Sequence, residues 1–170
     1  MKSDKRSKRA GEPGSGAVPA GAARRRPLAP ELCSHLGFVL AKARQELVER
    51  MERVIGHEGL SLRHFGTLLL IAQRGAMRQT ELCGAIRLDR TTMMNVVDEL
   101  EDAGLVRREA DPQDRRANAV TVTARGQKWL ARVRPRAERE EEEFLAPLSA
   151  GERERMRQLL MRLVVAEGER

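Results

Sequence analysis

The chain has 170 residues, of which 34% are charged and only 2% aromatic, and it carries a net charge of +7. This length suffices for one domain with its own core. The sequence contains no apolar run of about 18 residues, so we predict no membrane-spanning helix. The basic N-terminus lacks the apolar stretch of a signal peptide, and we therefore expect a cytoplasmic protein.

The cysteines and histidines do not form a recognisable site in the sequence. Cys33 and Cys83 lie far apart, and the histidines His35, His57 and His64 lack the spacing of a metal-ligand pair. A structural disulfide is not expected in a cytosolic chain. Neither a Gly-rich phosphate loop nor a nucleophile with a nearby base is present, so we predict no metal, no cofactor and no enzymatic activity.

The positive charge is concentrated at the N-terminus. Residues 1–30 hold eight Lys and Arg against two acidic residues, whereas the other 140 residues hold 24 basic and 23 acidic ones. Residues 1–28 are also rich in Gly, Pro, Ala and Ser, which predicts a disordered basic tail. This tail is either a solvated segment or an arm that contacts phosphates. In the remainder, residues 29–167, nucleic-acid binding has to be argued from the positions of particular arginines.

Helices are predicted for the first half of the body of the chain. Apolar residues recur every three or four positions, and Gly56 ends the first of these runs. Ser61 and Asp89 are suited to cap the second and fourth helices, and Gly104 is placed to end the fourth. The predicted helices span residues 31–55, 62–72, 79–85 and 90–103.

A β-hairpin and two further helices are predicted after that. The two strands are short and apolar, and Asp111 with Pro112 begins the turn between them. Pro135 should bend the next helix, and Ser149 with Glu152 forms a capping box for the last one. The predicted segments are strands 105–109 and 120–123 and helices 124–145 and 150–166.

The first and last helices carry apolar stripes that no other predicted element is placed to cover. Exposed apolar faces of this size are typical of interfaces between subunits. Interleaving of the terminal helices from two copies is the simplest way to bury them, so we expect a homodimer.

The fourth helix has a polar outer side near its start, formed by Arg90, Thr91, Thr92 and Asn95. A helix fits the major groove of DNA, where Asn can pair with adenine, and Thr offers a hydroxyl and a methyl that suits thymine. The alternative is that Thr91 and Thr92 only help Asp89 to cap the helix.

The turn of the hairpin carries Arg115 and Arg116. Arginine at the tip of such a turn can enter a narrow, A·T-rich minor groove. The neighbouring Asp114 is suited to orient a guanidinium in a bidentate pair. The alternative is an exposed turn whose charges compensate one another.

This part of the chain resembles the multiple antibiotic resistance regulator (MarR) family of winged helix-turn-helix repressors. The family's wing signature matches DRR at residues 114–116, VT at 122–123 and Gly126. The segment LEDAGLV at residues 100–106 is similar to the family's junction between recognition helix and wing. The order of helices over residues 31–167 agrees as well.

The resemblance implies a mainly α fold with a small β-hairpin wing, in which dimerisation helices 31–56 and 124–166 flank a DNA-binding lobe, 61–123. It implies a homodimer that binds double-stranded DNA at a pseudo-palindromic operator. Many relatives have Arg where this chain has Asn95, so a different operator is expected. By position, the family's DNA contacts fall on Arg90, Thr91, Thr92, Asn95 and either Arg115 or Arg116, of which we favour Arg116.

The family also implies a pocket for a small aromatic or anionic effector. The residues expected to line it are His35, Phe38, His64, Phe65 and Trp129, with His64 as a donor to an anion. The alternative is that these residues belong to the core. A hydroperoxide-sensing subgroup uses a cysteine near the first helix, which suggests Cys33, although Gly37 takes the position of that cysteine in the motif and the chain has no Tyr.

With the resemblance, the sequence predicts a dimeric, sequence-specific transcriptional repressor that a ligand releases from its operator. One alternative is a ligand-independent architectural DNA-binding protein whose basic tail supplies much of the affinity. The other is a redox-responsive repressor that uses Cys33.

Overall fold

The computed structural model describes residues 28–56, 59–110 and 118–165. It confirms a mainly helical fold with a small β wing. None of the described helices is long and apolar enough to cross a membrane. In chain order, the elements are α1 (Pro30–Cys33), α2 (Leu36–Ile55), α3 (Leu62–Arg74), β1 (Met77–Arg78), α4 (Gln79–Ile86), α5 (Arg90–Asp102), β2 (Val106–Ala110), β3 (Asn118–Val122), α6 (Ala124–Phe144) and α7 (Ala150–Val165).

Among the described residues, the chain divides after Val39 into two compact units. In the N-terminal unit, the single helix predicted over residues 31–55 is wrong, because the structure interrupts it at Ser34 and His35. The Ser34 hydroxyl donates to the carbonyl of Glu31 at 3.1 Å, and the His35 carbonyl accepts the first hydrogen bonds of α2. Serine side chains compete with the backbone in this way, and apolar periodicity does not reveal so short a break.

The C-terminal unit begins at Leu40 and contains the helix-turn-helix formed by α4 and α5. The predicted cap of α5 by Asp89 is confirmed. Between the two helices, Arg87 has a left-handed backbone conformation with φ 59°, which few residues other than glycine adopt. This residue turns the chain sharply, and its guanidinium donates to the carbonyl of Val164 in α7 at 2.6 Å.

The hairpin is part of a three-stranded antiparallel sheet in the order β1-β3-β2, so the prediction of two strands was incomplete. Strands β2 and β3 pair from Val106 opposite Val122 to Ala110 opposite Asn118. Strand β1 adds Met77 opposite Val120 on the other side. A strand of two residues is too short to show the alternation by which strands are recognised. The turn between β2 and β3 lies outside the described residues.

The core of the C-terminal unit is almost entirely aliphatic, as the shortage of aromatic residues predicts. Helices α2 to α6 and all three strands contribute to it. The predicted inward stripe of α5 is confirmed, since its four side chains are at most 5% exposed. They are Met93, Val96, Val97 and Leu100.

The two C-terminal helices are long, and α7 leaves apolar surface exposed. Helix α6 continues through Pro135. The predicted capping box of α7 is confirmed, because the Ser149 amide donates to a Glu152 carboxylate oxygen at 2.8 Å and the Glu152 amide to the Ser149 hydroxyl at 3.4 Å. On α7, Leu160 and Leu163 are 37% and 61% exposed. A single chain therefore does not cover the apolar face of its last helix.

Candidate nucleic-acid interface

The start of α5 is held by a double hydrogen bond to Asp89. Its two carboxylate oxygens accept from the Thr92 amide at 2.8 Å and from the Thr92 hydroxyl at 2.6 Å. These two bonds hold the pKa of the Asp89 carboxyl below its usual value, since they favour the charged form. The Thr92 hydroxyl therefore takes part in the helix cap. This agrees with the alternative interpretation of the sequence, in which Thr92 helps Asp89 to cap the helix.

The other predicted contact residues of α5 are exposed. Arg90, Thr91 and Asn95 are all exposed to solvent. Thr91 and Asn95 lie on the side of the helix opposite its buried stripe, and Arg90 lies at the edge of that stripe. Met94 lies among them and is 48% exposed. Sequence reasoning passed over Met94, because a methionine next to the core residue Met93 is easily counted as part of the core.

Arg108 on β2 joins the wing to α5. Its guanidinium contacts the carboxylates of Asp98 and Glu101, and its backbone amide donates to Glu101 at 3.0 Å. Burial opposes the charged form, but the hydrogen bonds that the guanidinium donates to Asp98 and Glu101, together with the charges of these carboxylates, outweigh it and raise the pKa of Arg108. Two carboxylates and one arginine thereby fix the direction in which β2 leaves the end of α5. No sequence motif drew attention to this residue.

We expect Arg108→Met to lower the free energy of unfolding by about 1 kcal/mol, because the partly exposed network loses its cation while both carboxylates remain. Urea unfolding monitored by circular dichroism measures this. The matched control is Arg107→Met on the same strand, where the side chain is 61% exposed and pairs with Glu109. A loss in the control equal to that in Arg108→Met would contradict a special role for Arg108.

Thr123 and Gly126 of the wing signature, together with Gly104, form a joint between α5 and α6. The Thr123 hydroxyl donates to the carbonyl of Gly104 at 2.7 Å and accepts from the Gly126 amide at 3.0 Å. Gly104 has φ 69°, which suits glycine at the end of a helix. At Gly126, a Cβ atom would lie 2.2 Å from the carbonyl oxygen of Leu105. The Thr and the two Gly are therefore needed where these elements meet.

His64 has a polar neighbour at each of its ring nitrogens. Nδ1 accepts from the Ser61 amide at 2.9 Å. Nε2 lies 2.8 Å from a Glu99 carboxylate oxygen but makes no hydrogen bond within the described part of the chain. The side chain is buried and connects α3 to α5. An anion at this site would have to compete with the neighbouring Glu99 carboxylate for His64 Nε2.

The other residues predicted for an effector pocket lie in different surroundings. Phe65 and Trp129 are buried in the core, with ring centroids 6.3 Å apart and planes at 56°. His35 and Phe38 lie in the N-terminal unit, where both are exposed. The structure thus packs two of the predicted aromatic side chains against each other. Cys33 is exposed and Cys83 half-buried, and both are free thiols.

A cavity of about 700 Å³ lies between α2, α6 and α7. Leu40, Leu47, Phe144, Met156 and Leu160 supply much of its apolar wall. Charged side chains also line it, namely Arg44, Glu141, Arg153, Glu154 and Arg157. Helical periodicity predicted these apolar stripes, but not the space between them.

Arg115 and Arg116 lie outside the described residues, so their contact with the minor groove of DNA stays a prediction. The structure describes the two strands on either side of this segment. β2 ends at Ala110 and β3 begins at Asn118, so both arginines belong to the stretch of sequence that connects the two strands.

Known proteins are similar to this chain in sequence and in fold. The family model for the MarR family matches residues 60–117. A relative from Thauera aromatica, described as a transcriptional regulatory protein for the hcr operon, is 32% identical over 139 residues, which cover 81% of this chain and 84% of the relative. This aligned region is much longer than the helix-turn-helix alone.

Solved structures agree with this over most of the chain. The PcaV transcriptional regulator from Streptomyces coelicolor, in complex with its natural ligand, has a TM-score of 0.73 at 26% identity and covers 83% of this chain and 99% of its own. The repressor CouR bound to a 23-mer DNA duplex has a TM-score of 0.73 at 26% identity, with 82% and 99% covered. From its sequence, its fold and these relatives, the chain belongs to the MarR family of DNA-binding transcriptional regulators.

Proposed function

We propose that the chain is a homodimeric repressor that binds a pseudo-palindromic operator and releases it when a small effector binds. The observation that carries this proposal is the polar, exposed side of α5 next to a wing that Arg108 fastens to the same helix. A helix and a wing held at a fixed angle can contact neighbouring grooves of one duplex. CouR, which shares the fold, is a repressor whose structure contains DNA.

In this proposal α5 enters the major groove. Arg90 and Thr91 contact phosphates or base edges near the start of the helix, and Asn95 pairs with adenine one turn later. Thr92 contributes by fixing the helix start through Asp89. The DNA-binding lobe comprises residues 61–123.

The lobe is flanked by dimerisation helices, 31–56 and 124–166, and preceded by a basic tail, residues 1–28. The apolar cavity beside α7 and the exposed leucines of that helix support a second copy of the chain as the partner. Burial of such a face is favourable by roughly 25 cal/mol per Å². Two copies would present two α5 helices about one turn of DNA apart.

The effector is proposed to be a small aromatic or anionic molecule. Support comes from PcaV, which is similar over most of the chain and was solved with its natural ligand. A ligand that prefers a dimer with the wrong spacing of α5 helices shifts the population away from the DNA-binding state. We place this activity in the cytoplasm and propose no enzymatic role, since the relatives are transcriptional regulators.

The test is binding of the purified protein to the DNA upstream of its own coding region, compared with random DNA of equal length. At about 0.15 M salt, where nonspecific contacts are screened, a symmetric footprint on the upstream DNA alone is the expected result. Equal, weak binding to both duplexes would contradict a specific operator at this place.

The charge of the tail favours a second candidate, a ligand-independent architectural protein. Residues 1–30 hold eight basic and two acidic residues, and such arms bind DNA with little sequence preference. Deletion of residues 1–28 separates the two functions. A modest loss of affinity supports the repressor, whereas loss of nearly all binding supports the architectural role.

Arg116→Ala is expected to weaken binding to the footprinted duplex by about 1–3 kcal/mol, because a minor-groove arginine is lost from each wing. Fluorescence anisotropy with a labelled duplex measures the change. Arg107→Met on the nearby strand serves as a control that removes one charge. Unchanged affinity of Arg116→Ala would exclude this side chain from the contact with DNA.

A further inference from the structure

Met94 is the unusual side chain on the exposed side of α5. Among the described residues from 59 to 144, no other large hydrophobic side chain is more than about a third exposed. Met94 is 48% exposed, whereas the adjacent Met93 is completely buried. The exposure of Met94 is therefore a local feature of this helix and not part of a wider apolar surface.

The neighbours of Met94 include the side chains of α5 that are proposed to contact DNA. On a helix, residues three and four positions away lie on the same side, which places Arg90, Thr91 and Asp98 next to Met94. Asn95 follows it directly. An apolar side chain thus stands in the middle of an otherwise polar surface.

The major groove offers one apolar group to such a side chain, the C5-methyl of thymine. Methionine is unbranched and flexible, so it can fill the irregular space around a methyl group. We propose that Met94 is a specificity-determining residue that contacts the C5-methyl of one thymine in each half of the operator. This inference rests on the proposed function, because it requires α5 to lie in the major groove.

The expected loss of affinity follows from the size of the thymine methyl group. Removal of one methyl from a buried apolar contact costs a factor of roughly four in affinity. A dimer that makes the contact twice should lose roughly 15-fold when both thymines lack the methyl. Replacement of thymine by deoxyuridine removes this methyl and leaves the base-pairing groups in place.

The experiment starts from a randomised duplex library, from which the full-length wild-type protein enriches its preferred sequence. Each recurrent thymine of that sequence is then replaced by deoxyuridine, and affinities are measured for the wild type, Met94→Ala and Met94→Leu. The wild type and Met94→Leu should lose affinity at one symmetric pair of thymines. Met94→Ala should bind the thymine and deoxyuridine duplexes equally well at that pair.

The outcomes separate this inference from the proposed function. If no sequence is enriched, the operator proposal fails, and the role of Met94 fails with it. If a sequence is enriched but deoxyuridine has no effect, or has the same effect on Met94→Ala as on the wild type, only the role of Met94 is overturned. Because Met94 is half exposed, circular dichroism should show the same folded state for all three proteins.

Discussion

Gly126→Ala should destabilise the protein by about 3 kcal/mol, at the upper end of what overpacking costs. The added Cβ would lie 2.2 Å from the carbonyl oxygen of Leu105 and 2.7 Å from a methyl of Val122. The carbonyl belongs to the backbone between α5 and β2, so it cannot move without disturbing the joint that Thr123 holds. Urea unfolding of the variant measures the loss, which is large against a total stability of about 5–15 kcal/mol.

Gly84→Ala is the matched control for this substitution. Gly84 lies within α4, is exposed, and would have no atom within 4 Å of the new Cβ. Alanine in an open helix position is expected to stabilise by about 0.5–1 kcal/mol. If Gly126→Ala unfolded at the same urea concentration as Gly84→Ala, the close approach of Gly126 to the Leu105 carbonyl would not limit the stability of the protein.

Leu160→Arg should shift the protein from dimer to monomer and lower its affinity for the footprinted operator at least about 100-fold. The substitution places a charge in the apolar cavity beside α7, where Leu160 is 37% exposed in the single chain. A monomer holds only one α5, and loss of the second binding event costs a factor of about 10²–10⁴. Analytical ultracentrifugation and anisotropy titration measure the two effects on the same sample.

Gln158→Arg provides the control, because it adds the same charge on roughly the opposite side of α7 at 100° per residue. We expect this variant to remain dimeric and to bind the operator as the wild type does. A dimeric Leu160→Arg that still binds DNA would refute the placement of the dimer interface on this face of α7. A monomer that binds with unchanged affinity would refute the need for a dimer.

Much of the helical framework could be predicted because its signals are local. Asp89 before a run of inward apolar residues gives both the start and the buried side of α5, and the structure agrees at each of these positions. Strand β1 could not be predicted, since Met77 and Arg78 become a strand only through pairing with β3. Such long-range pairing leaves no trace in a two-residue segment.

The candidate site was predictable in part. The exposure of Arg90, Thr91 and Asn95 follows from helical periodicity, but the use of the Thr92 hydroxyl by Asp89 depends on a rotamer. The position of Arg108 between Asp98 and Glu101 depends on how β2 crosses the end of α5. His64 shows the same limit, because its partner Glu99 is supplied by another helix.

The joint at Thr123 couples the end of α5 to the start of α6. Helix α6 has 21 residues, which corresponds to a length of roughly 30 Å at about 1.5 Å per residue. A rotation of α6 by about 5° about its C-terminal end moves its N-terminal end by about 3 Å. This displacement is close to the spacing of about 3.4 Å between base pairs. Because a single Thr123 hydroxyl closes both helix ends at this joint, we expect a small rotation of α6 to carry α5 with it by a distance on the order of one base-pair step.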